Sequence, residues 1–428
     1  EMLRSLVGSE MCIRDRPLRF LYNILVNIAW IGLKAIALFK PKIKLFVSGR
    51  KKTFPHLQAK LSPNAKTIWM HVASLGEFEQ GLPILERLRS KHPNHQIVLT
   101  FFSPSGYEVK KDTPVADVVT YLPIDTSYNA NRFLNLIRPE IVVFVKYEIW
   151  PNYLDQLKKR GTPTFLVSAI FSKRQVYFKG YGSFMRRSLK TFSHFFVQDG
   201  NSKNLLKSIG FENVTVGGDT RLDRVSEILK RDNGLEFMER FKKGQFCLVA
   251  GSTWPEDEEI LINYINSVQE PIKFVIAPHE IKPVHVEKIT NALQKKVVCY
   301  SGMDNTRLEE YDVLVLDTIG ILTKVYSYAD VAYVGGGFAT GLHNTMEPAV
   351  FGIPIIIGPQ YHGFKEAEDL VAKGGISPIS DQAGFNNLIQ LFTGNPAKVK
   401  EQGKINSNYI NSNVGAADRI LDHISGFL

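Results

Sequence analysis

Thr67-Ile68-Trp69-Met70-His71-Val72-Ala73 runs directly into Ser74-Leu75-Gly76-Glu77. The first run is β-branched, aromatic and apolar, the composition of a strand; the second holds a serine, a glycine and an acid, the chemistry of a tight turn into a helix over 78–91. Glu77 therefore stands at the C-terminal end of a strand. Two roles fit it there: a general base, once partial burial lifts its carboxyl toward neutrality, or a favourable charge at the helix N-terminus.

The same unit recurs along the chain. Strands are expected at 96–102, 118–122, 141–145, 164–168 and 194–198, each followed by a loop and usually a helix. The pattern pauses over 216–233, where Gly217-Gly218-Asp219 and a charged stretch look like a domain connector. It restarts with strands at 246–251, 273–277, 297–300, 313–316, 331–334 and 353–357. No repeat of fixed period and no low-complexity tract interrupts it. The expected architecture is α/β: two doubly wound, Rossmann-like domains, with one cleft between the carboxyl ends of their strands.

Length and composition agree with two cores, since 428 residues at 44% hydrophobic content exceed one ordinary domain. The 52 Lys and Arg against 42 Asp and Glu give a net charge of +10, which favours anionic partners: nucleic acid, acidic lipid or a phosphorylated substrate. Cys12, Cys247 and Cys299 show no metal-ligand or disulfide spacing, and a reducing compartment fits them.

Residues 1–16 read as a non-native leader, because Met11-Cys12-Ile13-Arg14-Asp15-Arg16 matches the translation of a transposon-type sequencing adapter. The stretch from Leu18 to Phe39 approaches the roughly 20 apolar residues of a bilayer-spanning helix. Its polar members Arg19, Asn23, Asn27 and Lys34 fall within about 80° on a helical wheel, a narrow stripe on an apolar cylinder. Lys40, Lys42, Lys44, Arg50, Lys51 and Lys52 follow, suited to anionic headgroups on the cytoplasmic side. A membrane anchor is expected, spanning or lying in the interface; the alternative is a helix buried on the soluble body.

Further polar residues gather at strand ends. Glu148 follows the strand at 141–145, in Lys146-Tyr147-Glu148-Ile149-Trp150-Pro151-Asn152, as a site acid or a helix cap. Arg221 lies where the first domain hands over to the second, able to reach a departing phosphate or to form a hinge salt bridge. Ser252 and Thr253 end a strand with amides and hydroxyls suited to phosphate, although Glu256, Asp257, Glu258 and Glu259 repel one unless they point away. His279, in Ile276-Ala277-Pro278-His279-Glu280, is a base or phosphate contact or a structural histidine. Gly335-Gly336-Gly337 ends another strand and permits the close backbone approach an anion needs. Beyond it Asn344 can cap a helix and Glu347 can accept from a ribose diol. No Asp-x-Asp stands at a strand end, so no metal and no cofactor are expected.

Taken in order, Trp69-x-His71, Ser74-x-Gly76-Glu77, Glu148-x-Trp150-Pro151-Asn152, Gly251-Ser252-Thr253-Trp254, and Gly335-Gly336 with His343-Asn344-x-x-Glu347-Pro348-Ala349 resemble the bacterial Kdo transferases. These are the lipid A glycosyltransferases that use CMP-Kdo, and the resemblance runs from about Leu18 to the C-terminus. It implies a GT-B fold, an inner-membrane enzyme at the cytoplasmic face, and inverting transfer of 3-deoxy-D-manno-octulosonic acid to an anionic lipid A precursor, with membrane lipids and no nucleic acid as partners. It makes Glu77 the proton acceptor and Glu148 and Arg221 the transition-state support. It places the cytidine nucleotide against Pro278, His279, Ile319, Gly320, Ile321, Asn344, Thr345, Met346 and Glu347, beside Gly336 and Gly337 of the glycine loop. Many members carry Arg where His279 stands, Lys where Arg221 stands, and Arg within the segment 167–172.

The expected division is a leader at 1–16, the anchor and basic flank at 17–44, an acceptor domain at 45–220, a linker at 221–233, a nucleotide-sugar domain at 234–408 and a C-terminal helix at 409–428. Two other functions suit the same residues. A nucleotide-sugar 2-epimerase shares the two-domain fold but needs no anchor; a non-catalytic membrane-bound nucleotide-sugar sensor needs the glycine loop and Glu347 but not Glu77.

Overall fold

The computed structural model describes residues 2–303, 307–339 and 341–428, with side chains from Leu18 onward. The leader expected over 1–16 lies outside the residues whose side chains are described. The chain divides into two compact units, one of residues 1–223 with 415–428 and one of residues 224–414.

The first unit is built on seven strands: β1 (Thr67–Val72), β2 (Gln96–Phe101), β3 (Val118–Tyr121), β4 (Pro139–Val145), β5 (Thr164–Ala169), β6 (His194–Val197) and β7 (Val214–Val216). Their order across the sheet is β3-β2-β1-β4-β5-β6-β7, and every pairing is parallel. All of β1 is buried because helices cover both faces: Trp69 joins the apolar layer on one side, and Ile68, Met70 and Val72 join the layer on the other. That is why the sequence reads as continuous rather than alternating hydrophobicity. The order reverses between β1 and β4, the place where doubly wound sheets open a crevice at their carboxyl edge.

The second unit repeats the plan with β8 (Phe246–Thr253), β9 (Ile272–Pro278), β10 (Val297–Cys299), β11 (Val313–Val315), β12 (Val331–Val334), β13 (Ile355–Ile357) and β14 (Ile376–Pro378). The order is β10-β11-β9-β8-β12-β13-β14, again all parallel, with its reversal between β8 and β12. Each strand read from the sequence overlaps an observed one. β7 and β14 were missed, and the pause at 216–233 holds a helix over Thr220–Ser226 and a 3-10 turn over Glu227–Lys230.

Two helices precede the first sheet, α1 (Met2–Ile36) and α2 (Pro41–Lys60). Within α1 the segment Leu18–Ile36 is long and apolar enough to cross a membrane. The first part of its polar stripe faces the first unit: Arg19 pairs with Asp155 at 2.7 Å, the Tyr22 hydroxyl donates to Asp125 at 2.7 Å, and the Asn152 amide donates to Asn23 at 3.1 Å, whereas Asn27 and Lys34 are exposed. Phe20, Leu25, Ile28, Ile31, Leu38 and Phe39 are left exposed. Near its start the helix thus turns polar side chains inward and leaves apolar ones outside, while further along Trp30 and Leu33 pack against Phe46 and Val47 of α2.

Candidate functional site

In the first unit the switch point carries two acids. After β1 the chain turns through Ser74, the N-cap of α3 (Leu75–Lys91), whose hydroxyl accepts from the Glu77 amide. Glu77 occupies the first turn of α3 and folds back, its carboxyl accepting from the Ala73 amide at 2.5 Å. Only 8% of the residue is exposed. Burial, and then the negative charge of Glu148, push its carboxyl up to about 7, against smaller downward pulls from the Ala73 amide and Lys146. The side chain thus sits at a helix N-terminus with its carboxyl raised toward neutrality.

Glu148 follows β4 and is 9% exposed. His71 Nε2 and Trp150 Nε1 meet its Oε2 at 2.9 and 2.8 Å. His71 lies in β1, opposite Thr100 of β2, and its Nδ1 is 2.8 Å from the Thr100 hydroxyl. The link between β1, β2 and the end of β4 is thus made by polar side chains inside an apolar sheet.

Backbone strain marks the same edge. Lys146 at the end of β4 and Ser168 in β5 hold φ of 62° and 52°, in the left-handed region that side-chain-bearing residues rarely adopt. The Ser168 hydroxyl bonds Thr220 at 2.8 Å, and the Thr220 hydroxyl donates to the Gln80 carbonyl at 2.6 Å, tying the start of the helix Thr220–Ser226 to α3. Arg221, next in line, donates from Nε to Asp219 at 2.9 Å and from a terminal nitrogen to the same oxygen at 2.6 Å. That is the salt bridge named as its alternative role. The guanidinium and the Glu77–Glu148 pair belong to one unit, with Thr220 as the connection.

In the second unit β8 ends at Ser252, Thr253 and Trp254, with Ser252 at φ 54° and the β8–β9 register broken beside it. The acids of the helix Pro255–Ser267 behave differently from free charges. Asp257 is fully buried and accepts from the Gly336 amide at 2.8 Å, the Trp254 amide at 2.9 Å and the Tyr333 hydroxyl at 2.6 Å. Glu258 accepts from the Thr253 hydroxyl and meets His285 Nε2, both at 3.0 Å. The Gly336 amide, which an anion bound in the glycine loop would use, is thus engaged by Asp257. Gly337 has a packing reason for lacking a side chain, because a Cβ there would come within 2.8 Å of the Gly358 backbone.

The His279 ring lies flat on Trp254, centroids 4.6 Å apart, and faces His343 at 4.7 Å. Its backbone amide donates to the Thr253 carbonyl, which places it directly after Pro278 at the end of β9. Trp254 Nε1 donates to His343 Nε2 at 3.0 Å. Burial and His279 hold His343 below the usual imidazole range, consistent with that nitrogen carrying a lone pair.

Glu347 lies in the first turn of the helix Met346–Val350, which follows buried Thr345, with Met346 packed inside. Its two oxygens accept from Thr323 at 2.7 Å and from the Asn344 amide at 3.0 Å. Asn344 in turn accepts from the Met346 amide at 3.1 Å. Each Glu347 oxygen keeps a second lone pair, which a diol can use. Thr323 follows Ile319, Gly320 and Ile321, so this bond joins that exposed loop, with Gly320 at φ 97°, to the Asn344–Glu347 turn. Sequence reasoning missed His71 as a partner of Glu148, Lys146, Trp254, Asp257 and Thr323. Only the proximity of Lys146 to Glu148 and of Trp254 to Thr253 in the chain pointed toward two of them.

The family model for 3-Deoxy-D-manno-octulosonic-acid transferase (kdotransferase) matches residues 48–224. The chain is 29% identical to the 3-deoxy-D-manno-octulosonic acid transferase of Aquifex aeolicus over 352 residues, 80% of this chain and 88% of that protein. It is 26% identical to the enzyme of the same name from Haemophilus influenzae over 383 residues, 86% of this chain and 88% of that protein. Among solved structures, UDP-GlcNAc 2-epimerase from Neisseria meningitidis bound to UDP-GlcNAc aligns with a TM-score of 0.59 over 84% of this chain and 100% of its own, at 13% identity. That likeness is one of fold alone, the GT-B plan of two parallel α/β sheets. By its sequence relatives, the chain belongs to the Kdo transferase family and is a glycosyltransferase.

Proposed function

We propose that this enzyme transfers Kdo, with inversion, from CMP-Kdo to lipid IVA, the tetraacyldisaccharide 1,4′-bisphosphate of lipid A and lipopolysaccharide core assembly. The observation that carries the reading is Glu77: a carboxyl at the β1–β4 switch point, buried and raised to about 7, suited to take a proton from an acceptor hydroxyl. The hydroxyl oxygen then attacks the anomeric carbon as CMP leaves. Glu148 supports the positive charge that develops at that carbon, and Arg221 meets the departing phosphate. In the second unit, Asn344–Glu347 and the loop at Ile319–Ile321 hold the ribose, Pro278 and His279 hold the base or phosphate, and Ser252, Thr253, Gly336 and Gly337 line the donor.

The membrane part of the proposal is an in-plane helix at the cytoplasmic face of the inner membrane. An α1 tied to the protein through Arg19, Tyr22 and Asn23, and exposing Phe20, Leu25, Ile28 and Ile31, suits a helix lying in the lipid interface better than one surrounded by acyl chains. The neighbouring lysines and the +10 charge suit an anionic surface and a bisphosphorylated acceptor.

Membranes carrying the enzyme, incubated with CMP-Kdo and lipid IVA, should yield lipid bearing added Kdo by mass spectrometry. Unmodified lipid alongside an epimerised free sugar nucleotide would instead favour the 2-epimerase, and tight CMP-Kdo binding without turnover would favour a sensor. Activity should persist in EDTA, and a clear metal requirement would contradict the mechanism drawn here.

A further inference from the structure

We propose that Trp69, Thr100 and His71 are positioning residues for the transfer reaction, a one-way hydrogen-bond relay that holds the Glu148 carboxylate by Oε2 and leaves Oε1 for the reacting sugar. The inference rests on the reading of Glu148 as support for the developing positive charge. It starts from a donor that cannot reverse. An indole N–H only donates, and Trp69 Nε1 lies 2.8 Å from the Thr100 hydroxyl oxygen. That oxygen keeps a second lone pair, so the direction at His71 is set from the far end: a carboxylate oxygen only accepts, and His71 Nε2, 2.9 Å from Glu148 Oε2, therefore carries a ring hydrogen. The neutral ring then accepts at Nδ1 from the Thr100 hydroxyl at 2.8 Å, a shorter path for that hydrogen than the 3.4 Å to the Met70 carbonyl. With a hydrogen on Nε2, the Thr100 carbonyl, 3.1 Å from Nδ1, can accept only from the doubly protonated ring, in which Nε2 still donates.

A second irreversible donor meets the first at the far end. Trp150 Nε1–H reaches the same Oε2 at 2.8 Å, so two N–H groups converge on one oxygen, which accepts both as a carboxylate oxygen does. Trp69, His71 and Thr100 are 0% exposed, within sheet layers otherwise filled by Ile, Val, Phe and Leu. A buried polar chain is costly unless every member is satisfied, and here each link is. The strands dictate its course: His71 and Thr100 are register partners in β1 and β2, and His71 is also the partner of Phe144 in β4, the strand that leads to Glu148. The relay crosses the sheet toward the point where its order reverses.

Thr100→Val removes the relay's central hydroxyl at nearly constant shape, without touching substrate. With CMP-Kdo and lipid IVA it should lower kcat about ten- to hundredfold, the scale of one lost buried hydrogen bond to a charged network, and leave the KM for CMP-Kdo within about twofold. Thr100→Ser should restore kcat to within about threefold, because the hydroxyl returns. A Thr100→Val enzyme with wild-type kcat, or a Ser variant as slow as the Val variant, would overturn the relay. Should Thr100→Val fail to fold, His71→Gln, which can keep a single N–H for Glu148, must outpace His71→Met by the same margin; equal rates would refute it. Glu77→Gln run alongside separates the two ideas. Full turnover by that variant defeats the base assignment and leaves the Thr100 comparison as a test of the relay, whereas an inactive Glu77→Gln beside an unimpaired Thr100→Val defeats the relay alone.

Discussion

The Glu148 carboxylate, just past the end of β4, adds its charge to burial in raising the Glu77 carboxyl, at the start of α3, to about 7. Two acids that follow neighbouring strands of the sheet are thereby made unlike, one receiving the His71 and Trp150 side chains and the other raised toward neutrality.

Glu77→Gln should keep the fold and CMP-Kdo binding and lose transfer by at least about a hundredfold, the scale of general base catalysis. Calorimetric titration of CMP-Kdo beside a turnover assay checks it. Near-normal turnover by a folded variant removes Glu77 from the mechanism, and a melting-temperature drop with turnover intact leaves it only its place at the helix N-terminus.

The pH profile of kcat/KM should rise through about 7, as Glu77 loses its proton. Glu148→Gln removes the second cause of the upward shift, so the midpoint should move to lower pH even as the rate falls. Stability runs the other way. The folded chain holds this proton more tightly than the unfolded chain, so the associated stabilisation is full below about 4.5 and is lost as pH rises through about 7. Urea denaturation of wild type and Glu77→Gln from pH 5 to 8 should show that part of the slope vanish in the variant.

Glu347→Ala should weaken CMP binding by about 1–3 kcal/mol, through the lost ribose bond and the released Thr323 and Asn344 side chains. Unchanged CMP affinity by calorimetry would exclude the ribose role.

Gly337→Ala should destabilise the second unit by about 1–3 kcal/mol, because the new methyl meets the Gly358 backbone rather than a movable side chain. Thermal unfolding reads this directly. Loss of nucleotide affinity without loss of stability would mean that Gly337 serves the ligand instead.

A chain beginning near Lys40 should stay folded, become more soluble and turn over lipid in bilayers poorly, with short-chain soluble acceptors restoring the rate. Neutralising Lys40, Lys42, Lys44, Lys51 and Lys52 should weaken sedimentation with anionic vesicles in a salt-dependent manner, at about 1 kcal/mol per charge near the surface. Equal pelleting of wild type, truncation and neutralised protein would reject the in-plane helix.

The two sheets were legible because strands buried on both faces leave unbroken apolar runs such as Ile141–Val145 and Phe246–Gly251. β7 and β14 escaped because three residues, Val214–Val216 and Ile376–Pro378, are too few to display a pattern. Glu77 and Glu148 announced themselves as acids at strand ends. The setting of Glu148 did not, since its partner His71 lies 77 residues earlier and reads, like Thr100, as an ordinary strand position. The partner of the Gly336 amide was hidden for a related reason: Asp257 comes from a helix 79 residues earlier.

The last stretch, 415–428, returns to the first unit. There Ala417, Ile420, Leu421 and Ile424 are buried against the face of the sheet that carries α3, and Asp223 receives the Ala417 amide at 2.8 Å. Because a ribosome delivers these residues after the whole of 224–414, the first sheet emerges with one face unfinished and must wait for the second unit to be made before that face can close. Synthesis order and assembly order therefore differ: the unit that starts first is completed last.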